Sequence, residues 1–260
     1  MVRALARGWR VFGAGFSFVV FGAAGIVLGV LVFPVLRVVV RDVKRREAWS
    51  RALLRVAFRL FIELMNALGV LRYSFTGRDR LDRTGLLILA NHPSLIDAVF
   101  LMAFVKNADC VVDAPLGENP FTRGAVRAAG YISNEPAGLP MVEACIASLA
   151  RGGNLVFFPE GTRTPPDGAI HLLRGGAQVA VRGGRDITPV IIRSVPRMLM
   201  RGQKWWQVPV RHSRYTISVG DDIPVRPFLD RSPEPAISAR ALNDYLQQYF
   251  SKESQAHAVA

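Results

Sequence analysis

Between Val11 and Leu36 the chain carries no charged residue. A helix needs about 20 apolar residues to cross the hydrocarbon core of a bilayer, so this stretch is long enough to do so. It is too long for a secretory signal core, and no clear cleavage site follows it. Gly13, Gly15, Gly22, Gly25, Gly29 and Pro34 punctuate it. Membrane helices tolerate such residues, and a re-entrant hairpin would use them too. A full span is the preferred expectation over an element that dips in and returns. Arg3, Arg7 and Arg10 precede the stretch, while the larger cluster of Arg37, Arg41, Lys44, Arg45 and Arg46 follows it. The excess of positive charge on the second flank puts the rest of the chain on the cytoplasmic side. This divides the sequence into a membrane-anchoring helical segment, residues 1–70, and one domain, residues 71–260.

The last part of the anchoring segment, Arg46 to Leu68, reads as a helix. Arg51, Arg55 and Arg59 recur every four residues as one basic stripe, with Leu53, Leu54, Phe58, Leu60, Phe61, Leu64 and Met65 around them. Two readings fit equally: a helix lying in the interface with its arginines among phosphates, or a surface helix packed on the domain.

The formal net charge is +13 over 260 residues, of which 50% are hydrophobic, and the mean hydropathy is +0.23. The hydropathy excludes a disordered chain. The charge asks for an anionic partner: nucleic acid, anionic lipid or an acidic carrier protein. No zinc-finger spacing or RNA-binding aromatic signature supports nucleic acid, whereas charge and apolar sequence coincide at the N-terminus, which favours membrane lipid. Two cysteines, Cys110 and Cys145, make no disulfide framework and no metal spacing, and are expected to be small buried hydrophobes.

From Leu71 onward, short apolar runs alternate with helix-like segments. Strands are expected at Leu71–Phe75, Leu86–Ala90, Cys110–Val112, Leu155–Phe158, Ile187–Arg193 and Arg214–Val219. Helices are expected at Leu95–Phe104, Phe121–Ala129, Met141–Ala150, Gly176–Val181 and Ala236–Phe250. This order predicts an α/β domain with a mainly parallel sheet flanked by helices.

Two segments carry chemistry. The strand Leu86–Ala90 delivers Asn91-His92-Pro93-Ser94-Leu95-Ile96-Asp97 to its end, where sites assemble in open α/β sheets. With His92 just before a helix and Asp97 in its first turn, the carboxylate can reach one imidazole nitrogen, fix the tautomer and leave the other nitrogen to deprotonate a hydroxyl. No Gly-x-Ser-x-Gly elbow surrounds Ser94, so direct attack by an acceptor hydroxyl on a thioester is simpler than a covalent intermediate. The second segment, Phe158-Pro159-Glu160-Gly161-Thr162-Arg163, also ends a strand. Gly161 permits a tight turn, Arg163 suits a phosphate, Thr162 adds a donor, and Glu160 can hold the arginine or touch an acceptor hydroxyl.

Together these segments resemble the glycerolipid acyltransferase family, typified by lysophosphatidate acyltransferases. Its first motif, Asn-His, four residues, then Asp, matches Asn91, His92 and Asp97. Its third matches Phe158 to Arg163 at every position, and its fourth resembles Ile187-Thr188-Pro189-Val190-Ile191. The resemblance covers roughly Tyr73 to Val219. It implies that His92 is the general base and Asp97 its partner. It further implies substrate binding by Asn91, Glu160, Gly161, Thr162 and Arg163, an acyl-CoA or acyl-carrier-protein donor, and no metal or other cofactor.

Two positions depart from the family's pattern. Glu135 stands about where the second motif carries an arginine, and Asp113 stands near a position where many members have lysine. Arg123 or Arg127 is the candidate to compensate; the departures otherwise point to an acceptor with a neutral hydroxyl head group. A thioester hydrolase and a non-catalytic lipid-binding subunit are the rival readings. Lys204-Trp205-Trp206-Gln207 suits headgroup depth, although packing of one indole into the core is the plainer account. His171 and His212 have no carboxylate at telling spacing.

Overall fold

A computed structural model describes residues 2–119 and 122–256. Its centre is a seven-stranded sheet: β1 (Leu71–Thr76), β2 (Leu87–Ala90), β3 (Ala108–Val112), β4 (Ile132–Ser133), β5 (Asn154–Phe157), β6 (Ile187–Val195) and β7 (Ser213–Val219). The strand order is β1-β7-β6-β2-β5-β3-β4. All pairings are parallel except β6 with β7. The mainly parallel α/β architecture is therefore as expected.

Strands of such a sheet are buried on both faces, and consecutive side chains point to opposite sides. In β2, Ile88 and Ala90 enter one core while Leu87 and Leu89 enter the other. The first core is closed by α3 (Val43–Ala67) and α4 (Asp97–Phe104), through Phe61, Ile62, Met65, Phe100 and Leu101. The second is closed by α7 (Leu139–Ala150), α8 (Gly175–Gly183) and α10 (Pro235–Ala256), through Cys145, Leu149, Val179, Leu242 and Phe250. Cys110 and Cys145 are both buried, as anticipated. Short helices α5 (Ala114–Glu118), α6 (Arg123–Ala129) and α9 (Arg226–Leu229) complete the domain. The expected helix from Phe121 is observed from Arg123, and Phe121 itself lies outside the described residues.

The N-terminal stretch is one long helical rod: α1 (Val2–Val27), a π-helical turn at Leu28–Val32, and α2 (Phe33–Val39). Within it Ala4–Val39 is long and apolar enough to cross a membrane. One face of the rod nevertheless follows the domain. Trp9 Nε1 donates to Leu68 O at 3.0 Å, the rings of Phe21 and Phe61 lie 4.6 Å apart, and a Cβ on Gly124 of α6 would sit 2.9 Å from Gly29 Cα. From Trp9 to Gly29 the rod advances about 30 Å. The rod thus lies along α3 and α6 at these three points. Because α3 shares the sheet's core, residues 1–70 and 71–260 are also not separated by a seam.

The arginine stripe of α3 runs from a buried Arg51 to the half-buried Arg55 and Arg59. Arg51 is buried and its Nη2 lies 2.9 Å from Asp109 Oδ2 of β3, and its Nε donates to Ala129 O at 2.8 Å. Arg59 pairs with Glu63 and lies over the Phe104 ring, its Cζ 4.2 Å from the centroid. The exposed stripe is instead Trp49, Leu53, Val56 and Leu60. Of the two readings, the helix packed on the domain is the one observed: buried Asp109 requires a cation beside it, so Arg51 turns inward with Leu54, Phe61, Ile62 and Met65, while a second apolar stripe stays exposed.

Candidate active site

β2 and β5 are adjacent parallel strands, so their carboxyl ends deliver both motifs to the same edge of the sheet. Asn91, the first residue after β2, reaches across to β6. Its Nδ2 donates to Ile192 O at 2.9 Å and its Oδ1 accepts from Ile192 N at 2.7 Å. The amide side chain thereby imitates a strand residue, which makes it a clamp for the loop; substrate contact is not the role this geometry gives it.

The loop then folds back so that His92 Nδ1 lies 3.1 Å from Asp97 Oδ2. The same oxygen accepts from Ser94 N at 2.5 Å. Asp97 is fully buried, which pushes its carboxyl above the usual range; the hydrogen bond to His92 opposes that shift. The imidazole is partly exposed, at 18% of its side-chain surface. The Phe158 ring stacks on it, with centroids 4.3 Å apart and planes tilted by 26°. With Nδ1 held by a buried carboxylate, Nε2 is the nitrogen left for a substrate.

The second motif grips the first through its main chain. Glu160 is buried, and its Oε1 accepts from His92 N at 2.8 Å and from Thr164 Oγ1 at 2.9 Å. Thr164 N donates in turn to His92 O at 2.7 Å. Burial raises the Glu160 pKa, and the hydrogen bond from the His92 amide opposes this. Glu160 is therefore a positioning residue for His92; Gly161 and Thr162 are exposed beside it. Gly161 adopts φ +66, a left-handed conformation that only glycine takes freely. Arg163 is half-buried, with Nη1 donating to Leu199 O at 3.1 Å and Met200 O at 3.0 Å. That leaves Nε and Nη2 as its available donors.

Sequence reasoning missed three supports of this site. Phe158 was seen as part of a motif but not as the wall against the imidazole. Thr164 gave a weak signal by following the motif directly. Tyr215 of β7, whose hydroxyl lies 2.9 Å from Ser94 Oγ, gave none, because 121 residues separate the pair and only the sheet brings them together. Asp113, near the end of β3, accepts from Asn134 Nδ2 at 2.9 Å.

Within this α/β domain, residues 72–193 match the family described as Acyltransferase. The chain is 34% identical to a 1-acyl-sn-glycerol-3-phosphate acyltransferase of Helicobacter pylori, over 32% of this chain and 37% of that protein. It is 26% identical to an enzyme of the same name from Pseudomonas aeruginosa, over 51% of this chain and 53% of the relative. The match thus spans about half or less of these curated relatives. The crystal structure of the 1-acyl-sn-glycerophosphate acyltransferase PlsC from Thermotoga maritima superposes with a TM-score of 0.67 at 17% identity. That likeness covers 95% of this chain and 98% of the other, and it establishes the shared fold. The domain match and the relatives make the chain similar to glycerolipid acyltransferases over the part of its length that they match.

Proposed function

We propose that this protein transfers a fatty acyl group from a thioester, acyl-CoA or acyl-carrier protein, to a hydroxyl of a lysolipid at a membrane surface. The observation that carries this reading is the His92–Asp97 pair, held at 3.1 Å at the exposed edge of the sheet. In the proposed reaction His92 Nε2 takes the proton of the acceptor hydroxyl as its oxygen attacks the thioester carbonyl. Asp97 stabilises the imidazolium. The tetrahedral intermediate collapses, the carbon–sulfur bond breaks, and the thiolate takes the proton from His92. Direct transfer needs no nucleophile from the protein.

A phosphate-bearing acceptor, as the names of the relatives indicate, would find the free edge of the Arg163 guanidinium. Asp113 and Glu135 stand on the neighbouring strand ends and favour the alternative, an acceptor with a neutral head group. Membrane association follows from two exposed apolar stripes, one along α1 with Phe12, Phe16 and Val19, and one along α3 with Trp49, Val56 and Leu60. Both suit a helix pair lying in the interface.

The test is turnover of purified protein with acyl-CoA and acyl-carrier protein against a panel of lysolipids, with product analysis. His92→Ala is expected to lose about 10²- to 10⁴-fold in rate with its fold intact. Unchanged turnover removes the proposed base, and free fatty acid without acylated lipid identifies a hydrolase instead.

A further inference from the structure

Between β6 and β7 the chain makes a long excursion over residues 196–212 that the chemistry above does not use. From Val195 to Tyr215 it contains no Asp or Glu, but it carries Arg197, Arg201, Lys204, Arg211 and Arg214. At its tip are Trp205 and Trp206, 44% and 46% exposed, with ring centroids 5.5 Å apart and planes near perpendicular. Lys204 Nζ lies 5.0 Å from the Trp206 ring. Neither indole enters the core.

Trp205 lies against α1, where a Cβ on Gly15 would come within 2.9 Å of its ring. Together with Phe12, Phe16 and Val19 it lines an open apolar trough of about 580 Å³. Arg10 of α1 donates to Val210 O on the return of the loop. The loop and the apolar face of α1 are therefore one continuous surface. At its buried root, Leu199 O accepts both from Leu95 N at 3.1 Å and from Arg163 Nη1 at 3.1 Å, so the same loop touches both motifs of the catalytic edge.

We infer that the loop over residues 196–212 is a docking element for an anionic lipid surface, seating Trp205 and Trp206 at headgroup depth beside α1 with Arg201, Lys204 and Arg211 on lipid phosphates. Three features select this occupant over a protein partner: a basic loop with no counter-charge of its own, two indoles of the kind that settle at membrane interfaces, and continuity with the apolar face of α1. The attachment of Leu199 and Met200 to Arg163 then sets the catalytic edge at a fixed height above the lipid. The inference rests on the membrane reading of α1 and adds a second contact that α1 alone does not require.

The experiment uses the full chain with a single label. Cys110 and Cys145 are buried, so Trp206→Cys can carry an environment-sensitive fluorophore. Glu234→Cys, exposed at the start of α10 on the other side of the sheet, is the reference. Both proteins are bound to phosphatidylcholine vesicles with and without phosphatidylglycerol, and quenched with acyl-brominated lipid. The expected result is a blue shift and quenching at position 206, greater with phosphatidylglycerol, and neither at 234. Adding Arg201→Glu and Lys204→Glu should abolish the part that depends on phosphatidylglycerol. Vesicle-bound protein whose label at 206 keeps its aqueous emission overturns the inference and leaves the membrane reading of α1 standing. Failure of the chain to sediment with any vesicles overturns both. A blue shift that occurs equally without vesicles identifies a protein interface and overturns the lipid assignment.

Discussion

The main-chain N–H of His92 donates to Glu160 Oε1 at 2.8 Å, across 68 residues of sequence. A carboxylate from the second motif therefore sets the position of the imidazole in the first. Glu160→Ala leaves a partly buried N–H without a partner, at a cost of about 1–3 kcal/mol. The expected kinetic outcome is a fall in kcat that exceeds any rise in acceptor KM. Glu160→Gln keeps an oxygen in place and should recover most of the loss. A variant that changes only KM would return Glu160 to the substrate.

Asp97 provides a pH test. Burial raises the pKa of its carboxyl in the folded chain, and burial does the same for Glu160 and Asp109. A folded-state pKa above the unfolded value of about 3.9 means that the native state binds more protons in the interval between the two. Stability is then greatest below that interval and falls as pH rises through it. Denaturant unfolding should show this decline, and Asp97→Asn should remove its share while Glu160 and Asp109 keep theirs. The same variant should lower kcat by about 10²-fold or more, because an amide does not stabilise the imidazolium.

The Arg51–Asp109 pair predicts a different signature. Asp109 Oδ2 accepts from Arg51 Nη2 at 2.9 Å and from Ser148 Oγ at 2.6 Å, with both ionic side chains almost wholly inside. Arg51→Met strands the carboxylate and should cost about 3–5 kcal/mol, whereas Arg51→Met with Asp109→Leu should recover much of it. Arg59→Met on the same helix breaks a partly exposed pair and should cost about 1 kcal/mol or less. Equal losses at the two arginines would contradict the burial of Arg51 against Asp109.

Gly161 tests the turn of the second motif. Alanine there must hold φ near +66, at a cost of about 1–2 kcal/mol. Its Cβ would also meet Leu173 Cδ1 at 2.6 Å. Leu173 is exposed and can move, so the backbone conformation is the larger obstacle. Thermal unfolding of Gly161→Ala should show the loss, and adding Leu173→Ala should restore little.

The elements legible in the sequence were those set by local pattern. The alternation of apolar runs with helical segments required a parallel α/β sheet, because strands buried on both faces need helices on both sides. The fully buried strands Leu87–Ala90 and Asn154–Phe157 stand directly before the two motifs, and so the motifs could be placed at strand ends. The arginine stripe of α3 was visible as a stripe, but its direction was not. Spacing puts Arg51, Arg55 and Arg59 on one face without saying whether phosphates or Asp109 lie opposite.

Sequence by itself determined which residues bear charge, which strands are buried, and that His92 and Asp97 lie close enough along the chain to meet. Tertiary structure decided which side chains act and which only support. It turned Asn91 to Ile192 and Glu160 to the His92 main chain, put Tyr215 beneath Ser94, and laid α1 along the domain. The physical reason is that a buried polar group must find a partner wherever the fold supplies one. Those partners came from strands and loops far away in sequence, where no local spacing records them.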